Sequence, residues 1–203
     1  MLDTRIRSAV EIALLYPARA LHRLGVSANV ITAVGAIIGL LAFCMICLGF
    51  YQLAIVCICL NRLADGLDGA VARLAGATDL GGYLDIVFDF MFYASIPLGF
   101  AFADPAYAQI AAFLIFCFIG TGSSFLAFAI IVAKHDLQME SQQKKSFYYL
   151  GGLTEGAETI GFLILICVFP SWFFWLSLGF GCLCLITTAT RIFMAVDTFS
   201  SRQ

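Results

Sequence analysis

The sequence predicts an all-α, polytopic membrane protein: six transmembrane helices preceded by an N-terminal interfacial amphipathic helix. Three observations lead there. Hydrophobic residues make up 62% of the 203 positions and the mean hydropathy is +0.99, well above that of a soluble domain. The apolar residues fall into runs near the ~20 residues that cross a bilayer core as a helix. Lysine and arginine then sort to one side of the resulting map, as the positive-inside rule requires. A formal charge of −2 leaves no basic surface for a nucleic-acid partner.

The elements follow in order. Residues 1–27 form a juxtamembrane segment in which Ile6, Val10, Leu14, Leu21 and Leu24 recur at helical spacing between Arg5, Arg7, Arg19, His22 and Arg23. That pattern suits a helix lying in the interface, bent or divided at Pro17. The arginines, Asp3 and Glu11 leave no apolar core for a cleavable signal peptide. Residues 28–203 then make one six-helix domain. Its first span covers about 28–50 and carries Gly35-x-x-x-Gly39, a close-packing face. The second begins near Gln52 and runs into an acidic stretch; a turn at Gly81-Gly82 leads into the third, which ends before Asp104-Pro105. The fourth covers about 106–134, with a polar segment Gly120–Ser124 facing protein, and a polar loop of about 134–146 follows. The fifth covers 147–169 with Glu155 and Glu158 in it, and the sixth about 172–196, with Trp172 and Trp175 as an interfacial belt. The eight cysteines sit in apolar runs and read as small hydrophobes.

With the N-terminus in the cytoplasm, six spans return the C-terminus to the same side. Arg5, Arg7, Arg19, Arg23, Arg73, Lys134, Lys144, Lys145 and Arg202 then all lie inside, Arg62 and Arg191 lie near the inner ends of their spans, and the outer loops contain no Lys or Arg. A bacterial-type inner or plasma membrane is the expected location, with the acidic stretch open to the cytoplasm.

That stretch, Asn61 to Asp89, is where chemistry is expected. Asp65 and Asp68 are three apart and Asp85 and Asp89 four apart, so two adjacent helices turn four carboxylates toward one space. Carboxylates near hydrocarbon cost roughly 2.5–3.5 kcal/mol each on insertion scales, which makes them functional candidates. Oxygen-only ligands suit Mg²⁺ or Mn²⁺, and a pair of ions suits a phosphoryl-type displacement. Gly66, Gly69, Ala70 and Ala72 clear side chains from a helix surface, and Arg73 offers a planar donor fork. Together they read as a nucleotide-diphosphate site. A small-residue packing face with a neutralised acidic cluster, such as an ion path, is the plainer reading of the same spacing.

The pattern Asp65-x-x-Asp68-Gly69-x-x-Ala72-Arg73, followed by Gly81-x-x-x-Asp85-x-x-x-Asp89, resembles the motif of the CDP-alcohol phosphatidyltransferases. The spacer between Arg73 and Gly81 is one residue shorter than is common in that family, and Thr78 matches a position often held by Ser or Thr. The resemblance implies a cytoplasm-facing membrane enzyme, usually a homodimer. It implies that Asp65, Asp68, Asp85 and Asp89 hold divalent ions and that Asp89 is the general base. It places the CDP moiety against Asp65, Gly69, Ala72, Arg73 and Gly81, with Asn29 and Thr32 of an Asn-x-x-Thr pattern at its border. The reaction implied moves a substituted phosphate from a CDP-linked lipid such as CDP-diacylglycerol to a small acceptor alcohol, releasing CMP.

Lys134, Lys144 and Lys145 are acceptor-phosphate candidates as well as ordinary positive-inside charge, and they favour acceptors such as glycerol 3-phosphate or another phosphorylated polyol. Glu155 is a further acceptor-binding candidate, although Glu155 and Glu158 also suit pairing with Arg191 inside the bundle. Asp79 is expected to cap or turn the loop, and His135 to contact the loop or headgroups. Two other classes compete: an aspartate-rich membrane prenyltransferase, which lacks a second aspartate motif here, and an ion- or proton-coupled transporter, which would need acids reaching the outer side.

Overall fold

A computed structural model of the chain describes residues 2–134 and 154–200, with side chains from residue 13 onward. The described residues form helices joined by short turns, with no strand among them. In chain order the helices are α1 (Leu2–Arg23), α2 (Ala28–Cys47), α3 (Tyr51–Ala75), α4 (Asp79–Ala103), α5 (Ala108–Lys134), α6 (Gly156–Val168) and α7 (Phe173–Ser200). Single 3₁₀ turns, Pro105–Tyr107 and Pro170–Trp172, precede α5 and α7.

Among the described residues, four segments are long and apolar enough to cross a membrane: Ala28–Cys47, Asp79–Ala103, Pro105–Lys134 and Pro170–Ser200. Their outward faces are apolar too, with Ile37, Leu40, Phe102, Phe116 and Ile119 each about 60% exposed or more, a surface suited to hydrocarbon. The expected second and fifth spans differ. Helix α3 has the length, at 25 residues, but carries Arg62, Asp65, Asp68 and Arg73. Helix α6 has 13 described residues, about 20 Å of rise; residues 147–153 of the expected span lie outside the described residues.

The chain divides into two compact units, Met1–Ala103 and Asp104–Gln203. In the first, α2 packs against α3 and α4, while α1 packs against α3. Helix α1 runs on through Pro17 and is not divided there. Its inner half places Leu14 and Ala18 in a buried cluster with Ile31, Ala64, Ala70 and Val71. The approach is close at Gly66, where a Cβ would stand 2.7 Å from Leu14 Cδ1. Gly66 and Ala70 therefore make room for a helix, whereas sequence assigned them to a ligand. Gly35 and Gly39 do form a packing face: a Cβ at Gly35 would lie 3.2 Å from Ala64 Cβ, and one at Gly39 would lie 3.0 Å from the Phe92 ring.

The turn between α3 and α4 sits earlier than expected. Helix α3 stops at Gly76, whose φ of +98° suits glycine. Thr78 then caps α4, its Oγ1 accepting from the Gly81 backbone N–H at 3.1 Å. Gly81 and Gly82 thus belong to the first turn of α4, not to the loop. Asp79 follows the cap as the first helical residue, where its charge meets the positive end of the helix dipole.

In the second unit α5 lies along α7. Gly120 faces Thr188, whose Oγ1 would stand 3.1 Å from an added Cβ, and the Thr121 carbonyl accepts from Arg191 Nη1 at 2.8 Å. The polar segment of α5 does face protein. Glu155 and Glu158 form a capping box at the start of α6, with the Glu155 backbone N–H donating to Glu158 Oε2 at 3.2 Å. They occupy a helix end, with Glu158 exposed, rather than the middle of a span. All eight cysteines are free.

Candidate active site

The site lies in the first unit, on α2, α3 and α4. Helical periodicity turns Asp65 and Asp68 toward Asp85, and one carboxylate oxygen from each falls within 4.8 Å of the others. Asp68 is buried and Asp65 half-buried. Thr32 of α2 donates to Asp68 Oδ2 at 2.6 Å, a short charge-assisted bond that fixes the carboxylate. Three convergent hard oxygen donors, with no His or Cys grouped with them among the described residues, fit a divalent cation of the Mg²⁺ class.

Two cavities meet at this cluster, and both are lined by Thr32, Asp68 and Asp85. The larger, about 360 Å³, is lined also by Asn29, Gly69, Ala72, Gly76, Thr78 and Gly81. Its volume is within the range of small-ligand pockets, and its walls carry almost no side-chain bulk. Gly81 is required there, since a Cβ would stand 2.9 Å from Asn29 Oδ1 and 3.0 Å from Thr78 Oγ1. Arg73, on the last turn of α3, is exposed and brings Nη1 to 3.5 Å from the Cβ position of Gly69. The smaller cavity, about 20 Å³, reaches Asn61, Arg62, Asp65, Phe88 and Asp89, and has room for a water-sized occupant.

Asp89 stands apart from the three clustered carboxylates. Its Oδ1 pairs with Arg62 Nη2 at 2.7 Å, while Arg62 Nη1 is 3.6 Å from Asp65 Oδ2. Sequence gave Arg62 only a topological role. Its position three residues before Asp65 on one helix was the available signal. The guanidinium is held on every side. Nε and Nη2 both donate to Asn61 Oδ1, at 2.8 and 2.6 Å. Nη1 donates to Tyr93 Oη at 3.2 Å, and the group lies 4.4 Å from the Phe92 ring centroid. Asn61 in turn donates to the Gly35 carbonyl at 2.8 Å.

The acceptor candidates lie elsewhere in the chain. Lys134 is the exposed last residue of α5. Glu155 is half-buried at the start of α6, close enough to Arg191 for their charges to interact. Lys144, Lys145 and His135 lie outside the described residues.

Known proteins match this chain in sequence and in fold. A family model for CDP-alcohol phosphatidyltransferase matches residues 25–197. The chain is 49% identical over 204 residues to the inner membrane protein YnjF of Escherichia coli (strain K12), covering 100% of this chain and 99% of that one. It is 35% identical over 99 residues to an archaetidylinositol phosphate synthase of Pyrococcus horikoshii, covering 48% of this chain and 53% of that protein. Among solved structures it resembles the phosphatidylinositol phosphate synthase PgsA1 of Mycobacterium tuberculosis, crystallised with CDP-DAG bound. That match has a TM-score of 0.64 at 21% identity and covers 90% of this chain and 93% of the other, a likeness of fold. Neither the prenyltransferase nor the transporter reading gains support from these matches. An aspartate-rich helix pair beside a small-walled cavity, inside a sequence that matches the family model almost end to end, leads to one assignment: the chain belongs to the CDP-alcohol phosphatidyltransferase family.

Proposed function

We propose that this protein transfers a phosphatidyl or similar substituted phosphate from a CDP-alcohol, such as CDP-diacylglycerol, to a phosphorylated polyol, releasing CMP. The observation that carries the proposal is the convergence of Asp65, Asp68 and Asp85, two of which, Asp68 and Asp85, stand in the wall of the 360 Å³ cavity. In this reading the nucleotide lies against Gly69, Ala72 and Gly81, bordered by Asn29 and Thr32, with Arg73 and Asp65 toward its diphosphate. Divalent ions, Mg²⁺ or Mn²⁺ and two in number, would be held by Asp65, Asp68, Asp85 and Asp89. When bound they supply charge neutralisation for the attacking and leaving oxygens. Asp89 takes the proton of the acceptor hydroxyl, whose oxygen forms the new bond to the β-phosphorus as the bond to CMP breaks.

Of the phosphorylated acceptors, an inositol phosphate is supported by the names of two similar proteins, an archaetidylinositol phosphate synthase and a phosphatidylinositol phosphate synthase; glycerol 3-phosphate rests on the lysines of the sequence. Lys134, Lys144, Lys145 and Glu155 are the acceptor's candidate contacts. The membrane arrangement proposed is six spans, α2 to α7, with α1 in the interface, both termini and the site on the cytoplasmic side of an inner membrane, and a homodimer as the assembly. In this arrangement 1–27 is a juxtamembrane segment and 28–203 the catalytic domain. The charge asymmetry of the sequence and the inner-membrane name of the YnjF relative support the location.

Purified protein in lipid nanodiscs, given CDP-diacylglycerol, Mg²⁺ and a panel of acceptor alcohols, is expected to release CMP with a phosphorylated polyol and to stop when EDTA is added. Folded protein that releases no chelator-sensitive CMP with any acceptor would sink the proposal. Turnover with serine alone would overturn the choice of acceptor.

A further inference from the structure

We infer that Arg62 is a built-in counter-ion for Asp89 and competes with the second divalent ion, so that metal loading is ordered. The inference rests on the two-ion reading above and extends it to a residue outside the family motif. Three carboxylates, Asp65, Asp68 and Asp85, converge as one ligand set, but the fourth already has a cation. Arg62 Nη2 lies 2.7 Å from Asp89 Oδ1, where an ion shared with Asp89 would need the same carboxylate. The adjoining space, about 20 Å³, suits one water-sized occupant rather than two.

Arg62 is also built to stay. Its side chain is 12% exposed, and all three guanidinium nitrogens have a partner: Asn61 for Nε and Nη2, Asp89 for Nη2 and Tyr93 for Nη1, with Asp65 a looser charge contact at 3.6 Å. A planar fork held in this way loses little further freedom in pairing with a carboxylate. The brace extends through Asn61 to the Gly35 carbonyl on α2, so α2, α3 and α4 are all joined at this group. Of the first ion's ligands only Asp65 approaches Arg62, at 3.6 Å, whereas the second ion must draw Asp89 away from a 2.7 Å pairing with a buried arginine that Asn61 and Tyr93 also hold. Arg62 is a positioning residue: it sets where Asp89 points until the second ion, or the charge of the substrate diphosphate, shifts the balance.

The test is Mn²⁺ binding to the full-length protein in detergent micelles without nucleotide, followed by electron paramagnetic resonance and calorimetry. Wild type is expected to take one tight ion and a second about tenfold or more weaker. Arg62→Gln should tighten the second site by about tenfold while leaving the first within about threefold. Arg62→Lys, which keeps the charge, should leave the second site weak. Two equal tight sites in wild type, or an Arg62→Gln protein whose second site is unchanged, overturns the inference while leaving the two-ion reading intact. Loss of the first ion in Arg62→Gln also overturns it, by making Arg62 a support of the whole cluster. Wild-type protein that binds no Mn²⁺ overturns the metal reading itself, and this inference with it.

Discussion

The two units of the chain each bury three polar side chains among the described residues and use them differently. In Met1–Ala103 these are Thr32, Asn61 and Asp68; in Asp104–Gln203 they are Thr154, Ser177 and Thr187. The first set ends on charges, Thr32 on the Asp68 carboxylate and Asn61 on the Arg62 guanidinium. In the second, Thr154 donates to Thr187 at 3.1 Å and joins α7 to the residue that leads into α6. Among the described residues, no group of metal-ligating side chains gathers in the second unit. Buried hydroxyls in an apolar helical protein are therefore not in themselves evidence of a site. What they touch decides.

Variants can break or sharpen that contrast. The largest effect is expected at the acids: Asp68→Asn should lower turnover by about a thousandfold, because a ligand of the cluster is lost. Asp89→Asn should cost about 10²–10⁴-fold in turnover while CDP-alcohol binding, read by calorimetry, stays within a few-fold. Unimpaired turnover in either would remove that acid from the machinery. Next is Thr32→Val, which deprives Asp68 of its hydroxyl donor and should weaken Mn²⁺ binding by about 10–100-fold. Gly81→Val intrudes on the larger cavity beside Asn29 and should raise KM for the donor about tenfold, with kcat changing less. A lowered kcat with unchanged KM would move Gly81 out of the nucleotide wall. The smallest effect should come from the second unit: Thr187→Val removes the bond from Thr154 and should destabilise by about 1 kcal/mol in a thermal melt, leaving metal binding unaltered. Altered Mn²⁺ affinity in that variant would dissolve the distinction between the units.

The positions of the helices were largely legible from hydrophobic runs, and the convergence of Asp65, Asp68 and Asp85 from three- and four-residue spacing. Their resolution into faces was not. Gly66 and Gly69 look alike in a sequence, but one faces Leu14 of α1 and the other the cavity, a distinction that depends on where α1 packs. Arg62 was read only for its side of the membrane, since its pairing with Asp89 spans two helices. The turn into α4 was misplaced because Gly81-Gly82 is the stronger turn signal by composition, while Gly76 and the cap at Thr78 set the break. The N-terminal pattern through Arg5, Ile6, Arg7 and Val10 involves side chains outside those described, whereas its continuation at Leu14 and Ala18 reads as a face packed on protein.

Helix α3 is committed on nearly all of its circumference. Gly66 and Ala70 meet α1, Asn61 and Ala64 meet α2, and Asp65, Asp68, Gly69 and Ala72 line the cavities. Ahead of the exposed last turn, Arg73–Ala75, the large exposed apolar residues Leu53, Val56, Leu60 and Leu63 advance by three or four residues per step, which is a single stripe. A scan of every substitution along this helix would therefore trace one narrow seam of tolerance, where one apolar residue replaces another freely. Everywhere else on α3, a change made for one neighbour is felt by another. Diversification within such a protein has to proceed through the helices that surround α3, while α3 itself stays still.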